Sequence, residues 1–258
     1  MERTGAKSSF KHALKGARPL LGVRTQIDSP MVAEALGFCG FDYVYIDMEH
    51  SHADLRSVMQ QCQAVAATPA HPVVRISSND SVLIQQLLDL GVQNIVVPMI
   101  DTADDARSAV AATRYPPDGI RSVSRVHRGN RYGADADYAK HAGDSICVIV
   151  QAETRTALSN IDAIASVPGL DGVLFGPADL SADLGFIGQA DHPEVSAAIL
   201  KAIGRIRAAG AYAGMSTNDP VKAREWLAAG CHFVSAAGDM ALMVAQARRV
   251  SAEALKGQ

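Results

Sequence analysis

The sequence predicts a (β/α)8 barrel preceded by a short N-terminal helix, and three observations carry the prediction. Short apolar runs rich in β-branched residues alternate with helix-periodic stretches about eight times over 258 residues, the period of an eight-stranded α/β barrel. Polar and charged residues gather directly after the strand-like runs, at the edge where barrel enzymes keep their chemistry. No Gly-x-Gly-x-x-Gly follows the first strand, so the alternative, a doubly wound open sheet, lacks its dinucleotide-binding signature. No linker, repeat or low-complexity stretch interrupts the alternation, and residues 1–258 are read as one barrel domain.

Ser9 followed by FKHALKG reads as a capped helix stopped at Gly16, ahead of a first strand at 20–25. Helical spacing over 31–36 stops at Gly37 and Gly40, and a second strand at 43–46 ends in Asp47-Met48-Glu49-His50. Residues 54–66 place Leu55, Val58, Met59, Cys62 and Val65 on one helical face. The third strand, 72–76, carries Arg75 near its end. Asn79 or Asp80 caps a helix through Leu90, the fourth strand is 94–98, and the next helix spans 101–113. Residues 115–144 break the rhythm with paired prolines and Arg121, Arg125, Arg128 and Arg131; connections this long are usually functional or locally irregular. Strand five (146–150), a helix (156–166) and strand six (172–175) follow. A helix at 194–209, strand seven at 212–215, a helix at 220–229, strand eight at 232–236 and a last helix at 240–255 complete the chain.

Composition excludes several function classes. A net charge of −3 gives no electrostatic case for nucleic acid or an anionic membrane. No apolar run approaches the ~18–20 residues of a membrane span. The N-terminal stretch lacks the apolar centre of a signal peptide, so a cytoplasmic location is expected. Cys39, Cys62, Cys147 and Cys231 form no Cys-x-x-Cys pair and read as buried thiols.

The stretch 146–181 carries most of the chemistry. Its two strands end in Gln151-Ala152-Glu153 and in Gly176-Pro177-Ala178-Asp179, and parallel neighbouring strands bring both carboxylates to one rim. Such a pair suits a hard divalent cation completed by water and substrate oxygens; it also suits helix-start acids favoured by the macrodipole. Asp47, Glu49 and His50, Arg75 and Gln151 are placed at the same rim, where an imidazole, an arginine and two carboxylates would form a general base, an anion stabiliser and a hard-metal site; taken alone, His50 also reads as a structural histidine and Arg75 as a core arginine paired to a carboxylate. Lys7, Lys11, Lys15, Lys140, Lys201, Lys222 and Lys256 all fall outside the strands, which argues against an imine mechanism. A carbanion beside a carbonyl would then need a metal ion as its electron sink.

The segments FDYVYIDMEHSHADL, PVVRISSND, QQLLDLGVQNIVVPMIDTADDAR, RYPPDGIRSV, VQAETRTAL and DGVLFGPADLSADLG closely resemble, in this order, the HpcH/HpaI family of metal-dependent pyruvate aldolases. The likeness runs from SFKHALKG to the last helix. It implies a class II aldolase that cleaves a 4-hydroxy-2-oxo acid to pyruvate and an aldehyde through a metal-stabilised enolate. By the same resemblance Glu153 and Asp179 hold Mg²⁺ or Mn²⁺, Arg75 stabilises the oxyanion, Gln151 contacts substrate, and backbone N–H groups of Ala178 and Asp179 receive its carboxylate. His50 matches the general base. The carboxylate behind it is either Asp89, which the topology puts far from the rim unless a neighbouring subunit delivers it, or the nearer Asp47. The family forms hexamers, so a homo-oligomer is expected.

Departures from the family concern the aldehyde half of the substrate. Arg24 stands where these enzymes often carry a tryptophan, and Arg121-Ser122-Val123-Ser124 replaces their RGVG. Arg24 is read either as a partner for a distal carboxylate or as a half-exposed arginine at the mouth, and the 122–131 loop as a second selector of the aldehyde. Two other functions stay open: a C–C lyase of the citrate-lyase or malyl-CoA type, and a catalytically silent barrel that binds a keto acid.

Overall fold

The computed structural model describes residues 9–256. Eight parallel strands close into a barrel in sequence order: β1 (Leu20–Thr25), β2 (Tyr43–Asp47), β3 (His71–Arg75), β4 (Asn94–Val97), β5 (Cys147–Ala152), β6 (Gly172–Phe175), β7 (Tyr212–Ser216) and β8 (Phe233–Gly238), with β8 pairing back to β1. The helices are α1 (Phe10–Ala13), α2 (Pro30–Gly37), α3 (Leu55–Ala66), α4 (Ser81–Asp89), α5 (Ala103–Ala112), α6 (Tyr138–Ser145), α7 (Arg155–Ser159), α8 (Ile161–Ala165), α9 (Pro177–Asp183), α10 (Pro193–Ala208), α11 (Pro220–Ala228) and α12 (Asp239–Ala254). The predicted barrel and its leading helix are therefore the observed fold. Among the described residues no helix is long and apolar enough to cross a membrane.

Local sequence explains where the helices start. Ser9, Ser29, Asp54, Asp80, Thr102, Thr154 and Asp219 each accept a backbone N–H of the following turn through the side chain, which satisfies donors a helix start leaves open. Asp54 with Ser57 and Thr102 with Asp105 close reciprocal capping boxes.

Two apolar layers hold the strands. One lies between strands and helices and includes Val44, Ile46, Val74, Ile95, Val148 and Val150. The other fills the barrel, where Tyr43, Tyr45, Val73, Val96, Ile149, Leu174 and Phe233 pack together and Phe10 of α1 plugs the amino end. Phe10 meets Tyr43 and Phe233 edge to face at 5.3 and 6.4 Å between ring centroids; burying such a ring contributes about 1.5–3 kcal/mol. Gly22 and Gly214 make room for those rings, since a Cβ at either position would overlap Tyr43 or Phe233.

Several boundaries differ from the sequence reading. β5 runs on to Ala152, because Gln151 and Ala152 pair with Leu174 and Phe175 of β6, so Gln151 sits on the strand itself. The single helix expected at 156–166 is broken into α7 and α8 at Asn160, whose side chain donates to the Asp101 carbonyl, as a residue that bonds backbone groups outside the helix does. The long connection holds a 3₁₀ turn, Arg128–Gly133, and α6, with Arg131 and Tyr132 at positive φ. Cys62, Cys147 and Cys231 are buried as read, whereas Cys39 is exposed at the turn after α2, its thiol donating to the Ala35 carbonyl.

Candidate active site

Strand alternation and register build the site at the carboxyl end of the barrel. Asp47 ends β2 and Arg75 ends β3, and the two are direct register partners. Their side chains meet as a fork: Arg75 Nε donates to Asp47 Oδ1 at 2.9 Å and Nη2 to Oδ2 at 2.6 Å. Arg75 Nη1 also lies 2.7 Å from Glu49 Oε2, a charge contact that lacks hydrogen-bond alignment. Arg75 is 4% exposed. Burial alone would raise the Asp47 carboxyl, but the Arg75 hydrogen bonds and charge outweigh it and hold Asp47 below its ordinary value. Glu49 is raised, burial prevailing over the attraction of Arg75.

His50 stands at the lip with 54% of its side chain exposed. Its backbone N–H donates to Asp47 Oδ1 at 3.2 Å and its carbonyl accepts from Gln26 Nε2 at 3.2 Å, so the loop is pinned from both sides. Gln26 is held in turn by Asp239, which also accepts from Thr25 Oγ1 and the Ile27 N–H. Among the described residues the ring has one acid within ion-pair distance, Glu49 Oε2 at 3.9 Å from Nε2. Asp47 thus grips Arg75 and the His50 backbone, not the imidazole.

Glu153 follows β5 and is 1% exposed. Its Oε1 accepts the Met99 N–H at 3.1 Å, and Met99 holds φ 54, a left-handed backbone uncommon outside glycine. Its Oε2 is buried and without a hydrogen-bond partner. Gly176 leaves that oxygen its space: a Cβ there would lie 2.6 Å from Glu153 Oε2 and 2.8 Å from Gln151 Nε2. Burial pushes the Glu153 carboxyl up to about 7, the Met99 N–H opposing and Glu49 and Asp179 adding to the rise. Gln151 accepts from the Tyr45 hydroxyl at 3.3 Å, which orients its amide. Asp179 and Ala178 lie in the first turn of α9, which no side chain caps.

A buried acid oxygen with no partner, a second acid beside it and open space kept by a glycine fit a divalent cation whose other positions are water and substrate oxygens. Among the described residues no cluster of three or more His, Cys, Asp or Glu side chains has metal-holding geometry.

A cavity of 420 Å³ is walled by Arg24, His50, Arg75, Gln151, Gly176, Ala178 and Asp179, and Glu153 lies behind that wall, against Gly176. Further wall residues are Ala190, Asp191, Ser216, Thr217, Asn218 and Asp219. The sequence reading left the loop after strand seven off the list of rim residues; its place directly after an apolar run was the signal available. No lysine lines the cavity among the described residues; Lys7 lies outside them.

Asp89 is elsewhere. It ends α4, which runs back to the amino end of the barrel, and bonds Arg121 Nη2 at 2.6 Å. It borders a different cavity with Leu55, Met59, Gln86, His127 and Tyr132. Arg121 is 1% exposed and lies over the Tyr115 ring at 4.6 Å, and Arg128 donates to the Leu90 carbonyl. None of residues 122–131 borders the mouth cavity within the chain.

Comparison with known proteins gives these features a lineage. The chain is 47% identical over 247 residues to a 4-hydroxy-2-oxo-heptane-1,7-dioate aldolase of Salmonella dublin, covering 95% of this chain and 94% of that one. It is 47% identical over 248 residues to a hydroxypyruvate/pyruvate aldolase of Cupriavidus necator, covering 96% and 92%. The crystal structure of an HpcH/HpaI aldolase/citrate lyase family protein from Burkholderia cenocepacia J2315 superposes with a TM-score of 0.91 at 35% identity, covering 95% of this chain and 98% of that one. The HpcH/HpaI aldolase/citrate lyase model matches residues 22–245, and the chain belongs to that family.

Proposed function

We propose that the chain is a class II aldolase, a carbon–carbon lyase that reversibly cleaves a 4-hydroxy-2-oxo acid to pyruvate and an aldehyde. The observation that carries this reading is the buried, unpartnered Glu153 Oε2 set against Gly176, which borders the same mouth as an arginine held rigid by Asp47. The two aldolases to which the chain is 47% identical support it.

In this reading Glu153 and Asp179 hold Mg²⁺ or Mn²⁺. The chemistry such an ion supplies when bound is Lewis-acid withdrawal of charge from the oxygens of the keto acid. Arg75, its plane locked by Asp47, faces the oxygen on which negative charge grows as the C3–C4 bond breaks. Because the guanidinium is already ordered, no reorganisation accompanies that step. The Gln151 amide and the open N–H groups of Ala178 and Asp179 receive the substrate carboxylate. His50, exposed at the lip, takes the C4 hydroxyl proton during cleavage and returns it in the aldol direction. With Asp47 occupied by Arg75, the acid that orients the His50 ring is Asp89 of a neighbouring copy in a homo-oligomer. The apolar residues Met240, Leu242 and Met243 exposed on α12 suit such an assembly. The enzyme works in the cytoplasm on small molecules.

A pyruvate-release assay on a panel of 4-hydroxy-2-oxo acids, with EDTA and with added Mn²⁺, tests the proposal. Cleavage is expected only with the ion present, and turnover that survives complete chelation would refute the mechanism. His50→Ala is expected to bind Mn²⁺ like the parent while losing cleavage; weakened Mn²⁺ binding would make His50 a ligand instead of a base.

A further inference from the structure

The mouth cavity has two arginines, and only one has a partner. Arg75 is bonded to Asp47. Arg24, on the inward face of β1 next to Tyr45 of β2 in register, has no ion pair or side-chain hydrogen bond among the described residues, and its Nε is shielded from solvent with no acceptor. A buried guanidinium donor left open costs free energy unless something fills it. The position is built: the register between β1 and β8 shifts between Gly22 and Arg24, which brings Arg24 opposite Gly238. A Cβ at Gly238 would lie 3.5 Å from Arg24 Nη2 and 3.3 Å from Asn218 Oδ1, so the missing side chain leaves Arg24 and Asn218 facing one space. The acids on this wall do not neutralise Arg24. Asp219 Oδ1 caps α11 through the Val221 and Lys222 N–H groups, and Asp191 forms no ion pair with Arg24.

The keto-acid half of the substrate is assigned above to the β5–β6 side, so the β1–β7–β8 side is left for the aldehyde half. We infer that Arg24 is a specificity-determining residue whose guanidinium receives a carboxylate on the aldehyde, so that the acceptor class is semialdehyde acids in preference to neutral aldehydes. Asn218 adds its amide donor to the same group. This inference rests on the aldolase reading for its substrate, and a planar fork of donors matches a carboxylate in two-point contact.

The test is aldol addition of pyruvate to 4-oxobutanoate and to its uncharged counterpart butanal, measured for the parent, Arg24→Met and Arg24→Lys, with calorimetric binding of 4-oxobutanoate to each protein. The parent is expected to favour 4-oxobutanoate in kcat/KM by on the order of 10- to 100-fold, the worth of a charged hydrogen-bond pair. Arg24→Met should collapse that ratio through KM for the aldehyde, and Arg24→Lys should restore part of it. Equal kcat/KM for the two aldehydes in the parent, or a ratio that Arg24→Met leaves standing, would overturn the inference while the aldolase reading stands. No addition to either aldehyde would count against the aldolase reading instead. In that case the subsite is supported by 4-oxobutanoate binding that weakens in Arg24→Met and is kept in Arg24→Lys, and overturned by binding that is absent or unchanged.

Discussion

Two buried arginines, each paired to a carboxylate, sit at opposite ends of this barrel. Arg75–Asp47 lies at the carboxyl end and Arg121–Asp89 at the amino end, with contact distances of 2.6 Å in both. Neither arginine is more than 4% exposed. What separates them is their surroundings. Arg121 is closed over by Tyr115 and Tyr138 and holds the long connection against α4. Arg75 is backed by strands on one side and keeps its other face on a cavity shared with His50, Gln151 and Asp179. A buried ion pair is thus no sign of function by itself; the open face is.

Removing Arg75 leaves the buried Asp47 carboxylate uncompensated, at a cost of about 3–5 kcal/mol, whereas Asp89 keeps 21% of its side chain exposed and removing Arg121 costs less. Arg75→Met is expected to lose that stability and in addition to lower kcat/KM by about 10²–10³-fold, the range for a lost oxyanion donor. Urea unfolding and steady-state pyruvate release separate the two losses. The contrast between the pairs breaks if Arg121→Met, corrected for its folded fraction, loses as much turnover as Arg75→Met.

A second test sharpens what Asp89 does. If it serves the His50 of a neighbouring copy, inactive His50→Ala chains mixed and reassembled with inactive Asp89→Asn chains regain pyruvate release that neither shows alone. Mixtures as dead as their parents would confine Asp89 to holding Arg121.

The smallest expected effect concerns pH. Glu153 has a native value of about 7 against an ordinary 4.5, so in metal-free protein the unfolded state loses this proton first. Stability therefore falls as pH rises from about 4.5 to about 7, by up to roughly 3 kcal/mol, and the full penalty stands above that window. Glu153→Gln should melt higher than the parent at pH 8 without metal. Mn²⁺ binding should weaken below pH 7 by up to about tenfold per unit, as one proton competes for the site. Calorimetry from pH 5.5 to 8 reads the slope, and a flat profile would detach Glu153 from the ion. Asp47 behaves oppositely: depressed by Arg75, it contributes stability above the ordinary aspartate range that is lost as pH falls through its lowered value.

Strand order, helix starts and the rim residues were legible along the chain because each depends on near neighbours. Alternation aims Asp47, Arg75 and Gln151 inward, and Ser9 and Asp80 announce the helices they cap. The resemblance to the HpcH/HpaI family was legible for the same reason, since its motifs are short and continuous. Tertiary structure alone decided the partnerships. That Asp47 holds Arg75 and not the His50 ring follows from the β2–β3 register. That Glu153 keeps one oxygen unpartnered depends on the left-handed backbone at Met99 and the missing side chain at Gly176, more than twenty residues away in either direction. That Asp89 faces Arg121 and not the carboxyl-end rim depends on α4 running back along the barrel. Residue type and local pattern set what each side chain is able to do. Which groups meet, and which remain open to a ligand, is set by closure of the barrel, because contacts between distant strands exist only once all eight have paired.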